Sequence, residues 1–371
     1  MDVNNAFLHG DLEEEVYMKL LHGFRHSHPN KVCRLRKSLY GIKQAPRCWF
    51  KKLSDALLNF GFIQSYDDYS LFCYSRKGIQ LCVLIYVDDL LISGNDSRMV
   101  QKFKEYLSKC FSMKDLGKLK YFLGIEVSRG LEGIFLSQRK YTLDIIADTG
   151  NLGCKPAATP LEQNHQLGKV ESPVLADPRK YRRLVGRLLY LLHTRPELSY
   201  SVHVLSQYMQ TPKEAHWEAA QRVVCFLKNS HGQGIMLSSS QDMSLTIYCD
   251  SDWSSCCKTR LSLSAFVVLL GDSPICWKTK KQDTVSHSSA EAEYRAMSDA
   301  LKEVNFLRKL LHGFDVKQVP TRFFCDSKAA IYIATNPVFH ERTKHIDNDC
   351  HAVRDAIKAG LINLRHIRTK E

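Results

Sequence analysis

Residues 81–94 read LCVLIYVDDLLISG, two apolar arms on either side of a pair of acids. Apolar runs of this length, bounded by turn-forming residues, fit two strands of a buried hairpin with Asp88 and Asp89 at its tip. Aspartate is common in turns for local hydrogen-bonding reasons, so the pair alone fits ordinary turn chemistry. At the edge of a buried sheet, however, adjacent carboxylates repel and lose hydration unless a cation compensates them. Divalent ions held by aspartates meet that need, and they serve phosphoryl transfer when a third carboxylate joins. Asp2, at the end of the apolar segment that opens the chain, is the candidate for the third.

The rest of the composition narrows the setting. A chain of 371 residues with 44% hydrophobic and 25% charged residues can bury the cores of two domains. Its net charge of +13 suits a polyanionic partner such as nucleic acid, although a solvated basic surface has the same signature. The 13 cysteines include no CxxC, which argues against a zinc ribbon or disulfide framework and for a reducing compartment. The acidic start carries no secretory signal, and runs such as LCVLIY and AFVVLL are too short to span a membrane.

Along the chain, residues 1 to about 150 alternate short apolar runs with helical stretches, an α+β pattern. SQRKYTLDIIADTGNLG reads as a helix stopping at Gly150. KPAATPLEQNHQLGKVESPVLADP, with four prolines and no periodicity, reads as a linker or extended arm. Three helices follow over 177–230. Asp177-Pro178 starts the first, and Thr194 and Thr211, each with Glu three residues on, are expected to form capping boxes for the others. From Leu245 the chain reads as strands LTIYCDSDW, SAFVVLL and PICWKTK, a long helix, then strand and helix in RFFCDSKAAIYIATN. HAVRDAIKAG and LINLRHI end the pattern as helix and strand.

Four stretches in order, DVNNAFLHGDL, SLYGIKQAPRCWF, YVDDLLISGN and LKYFLGIEV, resemble the reverse transcriptase of copia-type retrotransposons, and the likeness extends over nearly the whole chain. The resemblance implies an α+β and α/β protein in three parts. Residues 1–150 would be a reverse transcriptase palm and thumb without fingers, 151–240 a linker and helical connection, and 241–371 an RNase H-like mixed α/β domain. Asp2, Asp88 and Asp89 match the family's metal-binding triad. Phe7 matches the aromatic that stacks under the incoming sugar. Gly41, Lys43 and Pro46 match the segment lining the nucleotide and template pocket, and Leu123-Gly124 the turn that grips the primer strand. Read singly, each of these also fits core packing or turn geometry.

A second acidic set lies in CDSDW, SSAEAEYRA and FFCDSKAA. On the helix, Ala296, Ala300, Val304, Leu307 and Leu311 form one apolar stripe, and Glu293 lies on its side. Glu291 points elsewhere and can pair with Arg295. Strand alternation cannot separate Asp250 from Asp252; the resemblance selects Asp250. Asp326 completes the set, or else caps the helix starting at Ser327 or Lys328. The family's fourth aspartate lies beyond LINLRHI, and the chain ends at RTKE before it, with Asp347 as the nearby stand-in. His340, His345, Cys350 and His351 fit no familiar zinc spacing. Ala265 stands where the family has glycine, which reads as a distorted turn or as drift.

The resemblance therefore implies RNA-directed DNA synthesis plus cleavage of RNA in RNA–DNA hybrids, each with two Mg²⁺ ions (or Mn²⁺). The implied partners are an RNA template, a DNA primer, the hybrid and dNTPs, with no membrane. The expected location is the cytoplasm, within a virus-like particle, or the nucleus. Polymerase activity is expected to be impaired, because the fingers would precede Asp2 and a lost strand would leave Asp2 on a frayed end, Met1 being an internal methionine of a longer frame. The alternatives are a non-enzymatic nucleic-acid-binding remnant and a chain without a cooperative core.

Overall fold

The computed structural model describes residues 1–20, 23, 31–336 and 347–368, and of residues 347–350 only the helical backbone. Internal contacts divide the chain into two units, Met1–Leu119 with Lys309–Asp315 and Lys120–Arg308 with Val316–Glu371.

The first unit opens with β1 (Asp2–Val3), a single turn of 3-10 helix over Ala6–His9, and the hairpin β2 (Asp11–Met18) and β3 (Cys33–Lys37). Helix α1 (Ala45–Phe60) follows, then β4 (Ile63–Gln64), β5 (Leu71–Arg76), β6 (Ile79–Tyr86), β7 (Asp89–Gly94), α2 (Ser97–Cys110) and β8 (Met113–Lys114). The six-stranded sheet has the order β4-β5-β6-β7-β1-β8, every pairing antiparallel. Alternation in β6 buries Leu81, Val83 and Ile85, which join Leu53 and Leu57 of α1 and Phe103 and Leu107 of α2 in one core. The hairpin read from the sequence is therefore present: Tyr86 pairs with Asp89 across a two-residue turn.

The second unit begins with β9 (Tyr121–Phe122), β10 (Ile125–Gly130) and β11 (Gly133–Ser137). Helices α3 (Arg139–Asp148), α4 (Pro178–Leu191), α5 (Ser199–Ser206) and α6 (Glu214–Asn229) share a core of Ile145, Tyr181, Leu188, Val202 and Val224. Strand β12 (Gly234–Ser238) then returns to pair with β11. The remaining elements are β13 (Leu245–Asp252), β14 (Leu263–Leu270), β15 (Ser273–Lys281), α7 (Ser289–Gly313), β16 (Thr321–Cys325), α8 (Lys328–Thr335), α9 (Asp347–Lys358) and β17 (Ile362–His366). They form a sheet of order β15-β14-β13-β16-β17, antiparallel up to β13 and parallel beyond it, the mixed RNase H-like architecture expected here.

Three local expectations need correction. Thr194 does not cap a helix: its hydroxyl donates to the Gln138 side chain at 2.9 Å, and its presumed partner Glu197 is held by the buried Arg195 at 2.5 Å. Thr211 does not cap α6 either. Pairing of Val174 with Lys213 keeps the chain extended to that point, and the Lys213 N–H donates to His216 Nδ1 at 3.0 Å. That same pairing, with Leu175 buried and Ala157 N–H bonded to Cys225 O, ties the proline-rich arm to the helices. Ala265 distorts no turn, since it sits mid-strand in regular register opposite Asp250.

Candidate nucleotidyl-transfer and hydrolytic sites

The first carboxylate set is assembled by the central strands of the six-stranded sheet. Asp2 pairs with Asp89 on one side and Lys114 on the other. The Val3 N–H donates to Asp88 O at 3.0 Å and the Leu90 N–H to Met1 O at 2.8 Å. Asp2 is thus fixed between two strands with Val3 buried beneath it, which overturns the frayed end expected above. Backbone pairing on both edges does the fixing, and no preceding strand is needed for it.

Two residues missed by sequence reasoning shape the tip. Trp49 of α1, 2% exposed, donates from Nε1 to Val87 O at 2.6 Å and packs edge-on against Phe111. Val87 itself has φ 55°, a left-handed conformation costly for a β-branched side chain. The turn is therefore strained and held by the indole, which aims Asp88 and Asp89 beside Asp2. Burial first, then the Asp88 and Asp2 charges, push the Asp89 carboxyl above its usual range. A carboxyl raised in this way by its acidic neighbours suits a site for a divalent cation.

Phe7 lies in the 3-10 turn, its ring centroid 4.8 Å from that of the exposed Tyr40, and its carbonyl accepts the Ser38 hydroxyl. Gly41 has φ 94° with open space where a side chain would be, so the backbone angle alone calls for glycine there. Lys43 is exposed just before α1, and Pro46 lies in its first turn. Leu123 and Gly124 belong to the other unit. With φ 47° and 76° they form the two-residue turn between β9 and β10, and the Tyr190 hydroxyl donates to Leu123 O.

In the second unit, the parallel register of β13 and β16 sets Thr246 beside Arg322 and Tyr248 beside Phe324. Continued by two residues, it carries Asp250 and Asp326 to neighbouring strand ends. The Tyr248 and Phe324 rings stack at 5.0 Å, and both acids open onto a cavity of about 580 Å³ lined also by Trp277 and Lys278. Glu293 comes from the first turns of α7. It is 6% exposed, its Oε1 accepts the Ser251 N–H at 3.0 Å, and its carboxyl is pushed up to about 9. Burial is the main cause; Cys325, Asp250 and Asp326 add to it, so the strongest charges acting on it are negative. Asp250 is raised as well, by burial and then by Asp326.

Asp326 is not the helix cap: the Ser327 hydroxyl accepts the Ala330 N–H at 3.2 Å and fills that role. Glu291 pairs with Arg295 at 2.9 Å as expected, but it is buried, accepting the His287 N–H as well. Asp252 lines a different cavity, with Glu197 and Tyr200. Asp347, His340, His345 and Cys350 lie outside the described side chains. Asp250, Glu293 and Asp326 therefore converge from a strand, a helix and a strand end. A set of hard oxygen donors in which Asp250 and Glu293 are raised by burial and by neighbouring acids fits Mg²⁺. No described helix is long and apolar enough to cross a membrane.

Residues 1–163 match the family described as reverse transcriptase (RNA-dependent DNA polymerase). The chain is 43% identical over its whole length to the retrovirus-related Pol polyprotein from transposon RE2 of Arabidopsis thaliana, and 42% identical to that from transposon RE1. It spans about a quarter of those relatives, 26% and 25%. A putative transposon Ty5-1 protein of Saccharomyces cerevisiae is 32% identical over 82% of the chain and is covered in full. With the paired Asp2 and Asp89, the carboxylate hairpin and the mixed sheet already in place, these likenesses establish that the chain belongs to the copia-type retrotransposon Pol family of reverse transcriptases.

Proposed function

We propose that the second unit cleaves the RNA strand of RNA–DNA hybrids at Asp250, Glu293 and Asp326. We propose further that Asp2, Asp88 and Asp89 extend a DNA primer with dNTPs on an RNA or DNA template. The observation that carries this reading is Glu293, a carboxyl buried at 6% exposure among other acids. Such a group is costly in the apo protein unless a cation is to be held there. Asp250, Glu293 and Asp326 would hold Mg²⁺ in one site, and Asp2, Asp88 and Asp89 in the other. When bound, the ions supply Lewis-acid stabilisation of charge at the reacting phosphate.

The chain's own residues position the donors. The Ser251 N–H orients Glu293, the Ser327 hydroxyl caps α8 beside Asp326, and Trp49 holds the turn bearing Asp88 and Asp89. The net charge of +13 supports a polyanionic substrate.

The test is cleavage of a labelled RNA–DNA hybrid in Mg²⁺ by the purified chain and by its Asp250→Asn variant. Cleavage by the wild type alone supports the hydrolytic reading. Equal rates with retained hybrid binding would leave a nucleic-acid-binding protein without turnover. Primer extension compared with Asp89→Asn tests the other site in the same way.

A further inference from the structure

Two thiols sit directly behind the hydrolytic carboxylates. The register that pairs Tyr248 with Phe324 places Cys249 beside Cys325 one residue on. Both are buried, at 6% and 0% exposure, and the Cys249 thiol donates to Phe324 O at 3.5 Å. The Cys325 thiol also donates to Glu293 Oε2 at 3.8 Å, while the Ser327 N–H donates to its sulfur at 3.4 Å. One donor atom from each of Glu293, Cys325 and Asp326 lies within 4.8 Å of the other two. Mg²⁺ calls for oxygen ligands only, whereas a thiolate among carboxylates selects softer ions.

We propose that Glu293, Cys325 and Asp326 form a mixed oxygen–sulfur site for a thiophilic divalent cation of the zinc class, sharing two donors with the carboxylate centre. Ligand atoms around a tetrahedral ion stand about 3.3–3.8 Å apart, from bond lengths of about 2.0–2.3 Å. Closing the trio to that spacing takes side-chain shifts of about 1 Å. Binding releases two protons to solvent, from the Cys325 thiol and from the neutral Glu293 carboxyl, as the metal–sulfur and metal–oxygen bonds form, and no redox step occurs. The Ser327 N–H that meets the sulfur favours its anionic form. Because Glu293 and Asp326 serve both sites, a thiophilic ion and a hard one exclude each other. That consequence rests on the hydrolytic reading above; the binding itself does not.

The experiment titrates the metal-free full chain with Cd²⁺ and follows the ultraviolet thiolate-to-cadmium charge-transfer band. Cys325→Ser is expected to remove the tightest phase of the band, and Glu293→Gln to weaken it at least about tenfold. Cys256→Ser, in a separate loop, should leave that phase unchanged. A tight phase that survives Cys325→Ser overturns the inference. In Mg²⁺-supported hybrid cleavage, Zn²⁺ should inhibit the wild type at least about tenfold more strongly than Cys325→Ser; equal inhibition overturns the shared-donor arrangement. A wild type that cleaves no hybrid counts against the hydrolytic reading alone, and the cadmium titration still decides this one.

Discussion

Replacing Glu293 by glutamine in the metal-free protein should stabilise it and flatten its response to pH. The wild-type carboxyl is pushed from the ordinary 4.5 to about 9 by burial and its acidic neighbours. Its folded pKa lies above its unfolded one, so the sign is the reverse of a salt-bridged carboxylate. Stability is full below pH 4.5 and is lost as pH rises towards 9. At pH 7 the unfolded chain carries the group ionised while the folded one keeps it protonated. The difference of 2.5 pH units from the ordinary 4.5 amounts to about 3 kcal/mol, at about 1.4 kcal/mol per unit. Glutamine keeps an oxygen for the Ser251 N–H and has no proton to lose. Urea unfolding in chelator from pH 5 to about 9, with hydrogen exchange of β13 and α7 peptides as a local readout, measures the effect. The wild type should weaken steadily, and Glu293→Gln should keep the smaller slope left by other groups, Asp250 and Asp89 among them, which are also raised. Mg²⁺ should strengthen the wild type and leave the variant nearly unmoved. Parallel curves for the two proteins in chelator would refute the argument, because Glu293 would then be ionised and solvated in the fold.

Trp49→Phe should cost about 2–4 kcal/mol in urea unfolding, from the lost Nε1–H bond to Val87 O and the void beside Phe111; a loss below about 1 kcal/mol would show that the indole does not hold the turn. Val87→Gly should be neutral or stabilising, since relief of about 1–3 kcal/mol at φ 55° outweighs about 0.5–1 kcal/mol of added chain entropy. A less stable Val87→Gly protein in the same titration would contradict the strain. Ser327→Ala should cost about 1 kcal/mol and speed hydrogen exchange in α8. The same exchange change on Asp326→Asn instead would reassign the cap.

The parts of the fold that were legible are those where one local rule operates alone. The apolar arms of the hairpin and the glycine stop at Gly150 follow from neighbours in sequence, and the structure has them, with the turn at Val87-Asp88, one residue before the Asp88-Asp89 tip read from the sequence. The caps at Thr194 and Thr211 failed because other contacts intervene: Gln138 takes the Thr194 hydroxyl, the neighbouring Arg195 takes Glu197, and pairing with Val174 holds Lys213 extended. Local capping is worth about 1 kcal/mol, which one buried ion pair or bridge readily overrides. The stretch 155–178 read as a linker or an extended arm, and the structure has the arm; sequence alone left the two open because its partners lie some 40 to 70 residues further along the chain.

The site was legible as a set of acids but not as a chemical environment. Helical period was enough to prefer Glu293 to Glu291, and the pairing of Glu291 with Arg295 agrees. Period could not separate Asp250 from Asp252, because both lie on one face of a strand. What separates them is the parallel register with β16, a long-range pairing that sets Asp250 level with Asp326. The same register sets Cys249 level with Cys325, one step back and on the buried face. A two-residue strand period means that acids facing the cleft are flanked by residues facing the core, so Cys249 and Cys325, each one residue before an aspartate of the set, are buried beneath the carboxylates. An apolar side chain at 325 would leave the donor set all oxygen; the Cys325 thiol there places sulfur within reach of Glu293. On the arrangement proposed above, the metal preference of the centre is set at position 325 as much as at the acids themselves.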